Sequence, residues 1–134
     1  MEVQRVGTGG PFEDIVGYSR VVRAGAHVWV SGCTAIGPDG EVLGLGDLEA
    51  QTRATLEAVE RALQAVGAEL ADVVRTRLFV TDIANWEHAG RAHGDVFRAI
   101  KPATTMVEVA RLIDPRLLVE IEADAFVAGA TTPA

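Results

Sequence analysis

From residue 118 to residue 127 the sequence alternates with a period of two. Val119, Ile121, Ala123, Ala125 and Val127 take the odd positions, and Glu120, Glu122 and Asp124 fall between them. Successive side chains of a strand point to opposite faces, so this segment is a strand with one apolar face and one acidic face. Residues 73–80, VVRTRLFV, pose the same problem: Val74, Thr76, Leu78 and Val80 share one side, and Val73, Arg75, Arg77 and Phe79 the other. A sheet built on these strands buries one face in its own core. Its second face carries Phe79 and Phe126 among charges, too apolar to leave bare and too polar for an ordinary interior. We expect that face to meet another subunit, with Arg75 or Arg77 offsetting Glu122 or Asp124 across neighbouring strands.

The remaining elements can cover only one of the two faces. Residues 18–24 (YSRVVRA) and 27–31 (HVWVS) are β-rich runs joined by Gly25-Ala26, the pattern of a hairpin, and a further short strand fits residues 3–6. After the turn chemistry of Gly37-Pro38-Asp39-Gly40, Asp47 can cap a helix in which Thr52, Leu56, Val59, Leu63 and Val66 recur at helical spacing. Gly67 stands where such a helix stops. Asn85 can cap a second helix with Trp86, Ala89, Val96, Phe97 and Ile100 as its apolar stripe, ending before Pro102. Residues 104–110 (TTMVEVA) form a strand, and an Asp114-Pro115 turn leads into the alternating segment. The order β-β-α-β-α-β-β predicts an α+β fold, with two helices on one face of a mixed sheet. No repeat, low-complexity stretch or linker divides the chain, so it reads as one domain. Residues 129–134, ending Ala-Thr-Thr-Pro-Ala, read as a flexible tail.

Composition narrows the chemistry. The 134 residues include 12 basic and 19 acidic side chains, a net charge of −7, and 5% aromatics against 49% apolar residues. A chain of this length buries enough surface to fold without staples, and Ala and Val, 39 residues together, build its core from small and branched side chains. The single cysteine, Cys33, excludes an intrachain disulfide and a Cys-rich metal centre. The acidic balance and a lone lysine, Lys101, argue against a nucleic-acid partner. The start Met1-Glu2-Val3-Gln4-Arg5 has no signal-peptide pattern, and no stretch reaches the roughly 18 apolar residues of a membrane span, so the expected location is the cytoplasm.

Few residues carry chemistry. The three histidines, His27, His88 and His93, give no metal site, since His88 and His93 stand five apart on the second helix and not four. Gly7-Thr8-Gly9-Gly10 lacks the Lys-Ser/Thr of a phosphate-binding loop. Ser31-Gly32-Cys33-Thr34 follows a strand directly: the glycine permits close backbone approach, and the hydroxyls and thiol can line a pocket wall, or the segment is a plain strand end. Cys33 has no neighbouring base and reads as a buried or pocket-wall thiol. Glu120 is the most informative residue, because a carboxylate within an apolar strand needs a partner, a water or a ligand. In a dry cleft its pKa rises and it becomes a general base that orients water; the alternative is a structural ion pair with Arg75 or Arg77.

Taken together these residues resemble a known family. The run Pro102-Ala103-Thr104-Thr105-Met106-Val107-Glu108-Val109-Ala110-Arg111-Leu112, followed by Val119-Glu120-Ile121-Glu122-Ala123, is similar to the C-terminal signature of the RidA/YjgF family of enamine/imine deaminases. Gly17-Tyr18, Val30-Ser31-Gly32, Gly67 and the segment from Asp72 to Asp82 extend the likeness over nearly the whole chain. The resemblance implies a chorismate-mutase-like fold, a single RidA-like domain over residues 1–128, and a homotrimer whose sheets form a central barrel. It also implies three inter-subunit clefts in which enamines or imines are hydrolysed without a cofactor. Carried over by position, Tyr18 lies on one wall, Ser31 and Gly32 at the strand end, Met106 where the family often has cysteine, and Glu120 holds the water.

The departure is at position 104. The family's arginine, which binds the substrate carboxylate, is replaced by Thr104, and a neutral hydroxyl cannot reproduce a bidentate, charge-assisted clamp. The loss is expected to cost on the order of a hundredfold in affinity for an amino-acid-derived imine. Arg20 is a possible substitute; Arg111 matches a second, structural arginine of the family. Two readings follow: a hydrolase of a neutral or differently charged enamine, imine or related C–N compound, with Glu120 positioning water and Thr104 bonding the ligand, or a non-catalytic trimer that binds a metabolite or partner in the same clefts. Ribonuclease activity, attributed to some family members, is disfavoured by charge.

Overall fold

A computed structural model describes residues 2–129; most of the expected tail, residues 130–134, lies outside the described residues. In chain order the elements are β1 (Val3–Val6), α1 (Pro11–Val16), β2 (Val21–Ala24), β3 (His27–Cys33), α2 (Leu48–Ala65), β4 (Val73–Val80), α3 (Trp86–Phe97), β5 (Ala103–Glu108) and β6 (Val119–Phe126). They form one six-stranded sheet in the order β1-β2-β3-β6-β4-β5. Every pairing is antiparallel except β4 with β5, which is parallel and takes α3 as its crossover. The α+β class and mixed sheet are those expected.

Helices α2 and α3 pack together, and α2 lies over the sheet. Leu56, Val59 and Leu63 of α2, with Ala89 and Phe97 of α3, meet Val28, Val30, Leu78, Ile121 and Ala123 in one core. Asp47 caps α2, its carboxylate accepting from the Ala50 N–H at 3.0 Å, and Gly67, at φ 78, ends it. There the Ala68 N–H reaches the Leu63 carbonyl and the Gly67 N–H that of Gln64, which pairs the last carbonyls of the helix. Fully buried Gln51 ties α2 to the start of β6: its amide donates to the Arg116 carbonyl at 3.0 Å and accepts from the Leu118 N–H at 2.8 Å. Glu120 follows two residues later.

Three local readings are corrected. The β4 alternation breaks at its first residues, because the ladder to β6 slips between Val73 and Arg75, so Val73 is buried at 3% exposure and Val74 lies out at 51%. Asn85 makes no side-chain cap; Asp82 instead accepts from the Ala84 N–H and opens a 3₁₀ turn ahead of α3. Trp86 is half exposed, so the apolar stripe of α3 begins at Ala89. Helix α1, a single six-residue stretch, was not foreseen.

The sheet face away from the helices carries Trp29, Phe79, Phe126, Arg75, Arg77, Glu120, Glu122 and Asp124. Trp29, Val107 and Phe126 are more than 40% exposed. Arg77 bridges both Glu122, at 3.3 Å, and Asp124, at 3.5 Å, the offset anticipated across the strands.

Candidate functional site

One cluster forms where β3 bulges. Val30 pairs with Ala123 and Cys33 with Ile121, so three steps on β3 match two on β6, and the extra residue falls in Ser31-Gly32. The bulge brings Gly32 under the Glu120 side chain. A methyl group built on Gly32 would lie 2.9 Å from Glu120 Cδ and 3.2 Å from its Cγ, so this carboxylate occupies the space that the missing side chain leaves.

Arg20 holds the bulge from the other side. Its Nη1 donates to the carbonyls of Gly32 and, at 3.4 Å, Ser31, and lies 3.7 Å from Cys33 Sγ. Its Nη2 donates to the Tyr18 hydroxyl at 3.2 Å, and the guanidinium lies 5.4 Å from the centre of the Tyr18 ring. Ser31 Oγ donates to the Ser19 carbonyl at 2.6 Å. Glu120 makes no hydrogen bond or ion pair among the described residues: its register partner on β4 is Phe79, and Arg77 bridges Glu122 and Asp124. Burial pushes its carboxyl above the usual range; Arg20 opposes the shift and Glu122 adds to it. The carboxylate is therefore half-buried, proton-hungry and uncommitted, the condition of a group that holds water or a ligand. Cys33 sits in the core at 3% exposure, and burial raises its thiol, which keeps it protonated and inert.

A second cluster lies at the β5 edge on the helix side of the sheet. Thr76 of β4 and Thr104 of β5 are register partners, and their hydroxyls meet at 2.8 Å. Thr76, fully buried, also meets His93 Nε2 of α3 at 2.8 Å, and Thr104 Oγ1 reaches the Pro102 carbonyl at 3.2 Å. Burial holds His93 below the usual imidazole range, so it is neutral at physiological pH. Next to this chain of bonds is a hollow of about 330 Å³ lined by His93, Phe97, Arg98, Lys101, Pro102 and Thr104.

The anticipated residues thus fall into two groups. Tyr18, Ser31, Gly32 and Glu120 gather with Arg20, whereas Thr104 stands apart and Met106 packs against the core. Glu120 pairs with Phe79, and Thr104 with Thr76, three positions away on the same strand, so the two lie on opposite faces of the sheet. Sequence reasoning passed over Thr76, whose signal was a hydroxyl among core positions of a strand. Among the described residues no three His, Cys, Asp or Glu side chains converge as a metal site.

A six-stranded mixed sheet backed by two helices, with a carboxylate over a glycine bulge, defines a class of small α+β domains. The family model described as endoribonuclease L-PSP matches residues 11–127, and the chain belongs to that family, also called RidA/YjgF. It is 34% identical over 110 residues to a RutC family protein of Pyrococcus horikoshii, covering 81% of this chain and 86% of that one. The solved structure of a YjgF/YER057c/UK114 family member from Mycobacterium tuberculosis superposes with a TM-score of 0.86 at 51% identity, covering 94% of this chain and all of that one. Escherichia coli TdcF with bound serine superposes at 0.76 with 28% identity, covering 91% and 92%.

Proposed function

We propose that the protein is a small-molecule hydrolase of RidA type, acting on an enamine, imine or related C–N compound in clefts between the subunits of a homotrimer, with Glu120 orienting the attacking water. The observation that carries this reading is the state of Glu120: half-buried, raised in pKa, unpaired, and given its space by Gly32. Water held by such a carboxylate loses a proton to it as the C–N carbon is attacked. Tyr18 accepts its hydrogen bond from Arg20, which leaves its own O–H to donate to a ligand. The serine bound to TdcF supports a site for small molecules in this fold.

Assembly enters through geometry. Thr104 and Glu120 lie on opposite faces of one sheet, so one ligand touches both only if they come from different copies. The open face, with exposed Trp29, Val107 and Phe126, offers apolar surface for that contact. A monomeric mass by light scattering at micromolar concentration is the result that contradicts the trimer.

The test of chemistry is Glu120→Gln. Turnover of a panel of neutral enamines and imines is expected to fall at least a hundredfold, with ligand binding retained. Unchanged turnover of every substrate would leave a binding protein and not a hydrolase. Ribonuclease activity is disfavoured by the net charge of −7 and the single lysine.

A further inference from the structure

The hydrogen bonds around Thr104 have a direction. A carbonyl can only accept, so the 3.2 Å contact between Thr104 Oγ1 and the Pro102 carbonyl uses the Thr104 proton. Thr104 therefore accepts from Thr76 across the 2.8 Å contact, which uses the Thr76 proton, and Thr76 accepts from His93 Nε2–H at 2.8 Å. This is the one polarity that satisfies all three contacts. It leaves Thr104 with a single free lone pair and no proton to offer. At residue 104 the chain thus presents an acceptor. His93 Nδ1, opposite the donating Nε2, makes no hydrogen bond among the described residues. It remains solvent-accessible, since none of their buried side-chain nitrogens lacks a partner.

The rim of the same hollow is cationic. Lys101, the only lysine in the sequence, stands four residues past the end of α3 with its N–H on the Phe97 carbonyl and holds φ 57, a left-handed position where glycine is the ordinary residue. Arg98 stands beside it, partly engaged by Asp95 at 3.4 Å. A ligand group that suits both features needs an oxygen that accepts from a cation and an N–H that donates to a lone pair. A carboxylate satisfies the cations and meets Thr104 lone pair to lone pair. An ammonium satisfies Thr104 and meets two cations.

We propose that the hollow beside Thr104 binds a carboxamide or urea group, its carbonyl oxygen toward Lys101 and Arg98 and its N–H toward Thr104 Oγ1. The inference rests on the reading that ligands enter at Thr104, and it names their class: neutral amide-like compounds in place of carboxylates.

The probes are propionamide, propionate and propylammonium, three compounds of matched size, titrated into the full-length protein at low salt while the Thr104 backbone amide is followed by NMR. Propionamide is expected to saturate that resonance, with Thr104→Val weakening it about fivefold and Thr104→Ser restoring it. Lys101→Gly is expected to weaken it as well while the fold holds, since glycine takes φ 57 without strain. Propionate saturating the resonance as tightly as propionamide overturns the proposal, and so does a resonance that propionamide leaves unmoved. The ranking of probes is repeated in Glu120→Gln. A ranking kept there while that variant's turnover is unchanged upholds amide selectivity even though the hydrolase reading has failed.

Discussion

Gly32 and Glu120 share one volume: the carboxylate lies where a side chain at residue 32 would begin, with Cδ 2.9 Å from that point. The glycine is needed for space and not for a left-handed backbone, as its φ is not among the positive values. Of the two readings the sequence leaves open for Gly32, a close approach at a pocket wall or a plain strand end, the geometry favours the first: the glycine seats the candidate base.

Gly32→Ala is accordingly expected to turn the Glu120 carboxylate out of its position and to lower turnover about as far as Glu120→Gln does. The far end of a Glu side chain moves cheaply, so the fold should survive with a loss of order 1 kcal/mol. A double-mutant cycle separates this from a plain packing defect: the stability cost of Gly32→Ala should shrink in a Glu120→Ala background. Equal costs in both backgrounds would show that the two residues do not compete.

Glu120 also sets a pH dependence. Its carboxyl is raised above the ordinary 4.5 by burial, so between 4.5 and the raised value the folded chain holds more of the proton than the unfolded one. Stability then falls as pH rises through that window and stays lower above it. Glu120→Gln removes the penalty. Denaturation midpoints should show the variant more stable than wild type at pH 7, with the advantage fading as pH falls from the raised value towards 4.5. A variant less stable at pH 7 would mean that the interaction with Arg20 outweighs the cost of burial.

The slip at the start of β4 makes a prediction opposite to simple alternation. Val73, 3% exposed, fills the core and Val74, 51% exposed, does not, so Val73→Ala should cost about 1–3 kcal/mol and Val74→Ala less than about 0.5. Urea denaturation of the two single variants decides it. If the open face is covered by other copies, the small cost of Val74→Ala should hold at low protein concentration and grow as concentration rises.

These cases mark how far a sequence can be read. Strand β6 and helix α2 were legible because their periodicity runs unbroken over eight and eighteen residues and α2 carries its own cap and stop. The slips at Val74 and at Ser31-Gly32 were not, since a bulge leaves no local mark and inverts every assignment on one side of it. Helix α1 was invisible because Phe12, Ile15 and Val16 are all exposed and give no buried stripe to detect. Glu120 was found from its place in an apolar strand. Arg20 was considered only as a substitute clamp, and its seat beside Glu120 depends on a bulge. The link from His93 through Thr76 to Thr104 spans three elements and depends on the parallel register of β4 with β5, which no single sequence encodes visibly.

Position 104 supplies the last test. Wild-type protein is expected to hydrolyse 2-iminopropionate at background, because Arg98 at the rim of the hollow is partly engaged by Asp95 and Thr104 meets the carboxylate lone pair to lone pair. Arg20 is the one arginine beside Glu120, and it is committed to the Gly32 and Ser31 carbonyls and to Tyr18. Thr104→Arg places a bidentate donor where the wild type has an acceptor; the buried Thr76 hydroxyl, which loses its acceptor at residue 104, keeps a partner by donating to His93 Nε2 once that ring carries its proton on Nδ1. A coupled assay of ammonia release should show at least a tenfold gain in that variant, and propionamide binding at residue 104 should be lost in the same protein. Rapid wild-type hydrolysis would mean that Arg20 leaves the bulge when substrate arrives, and Arg20→Lys, which cannot form the paired bonds, should then abolish it.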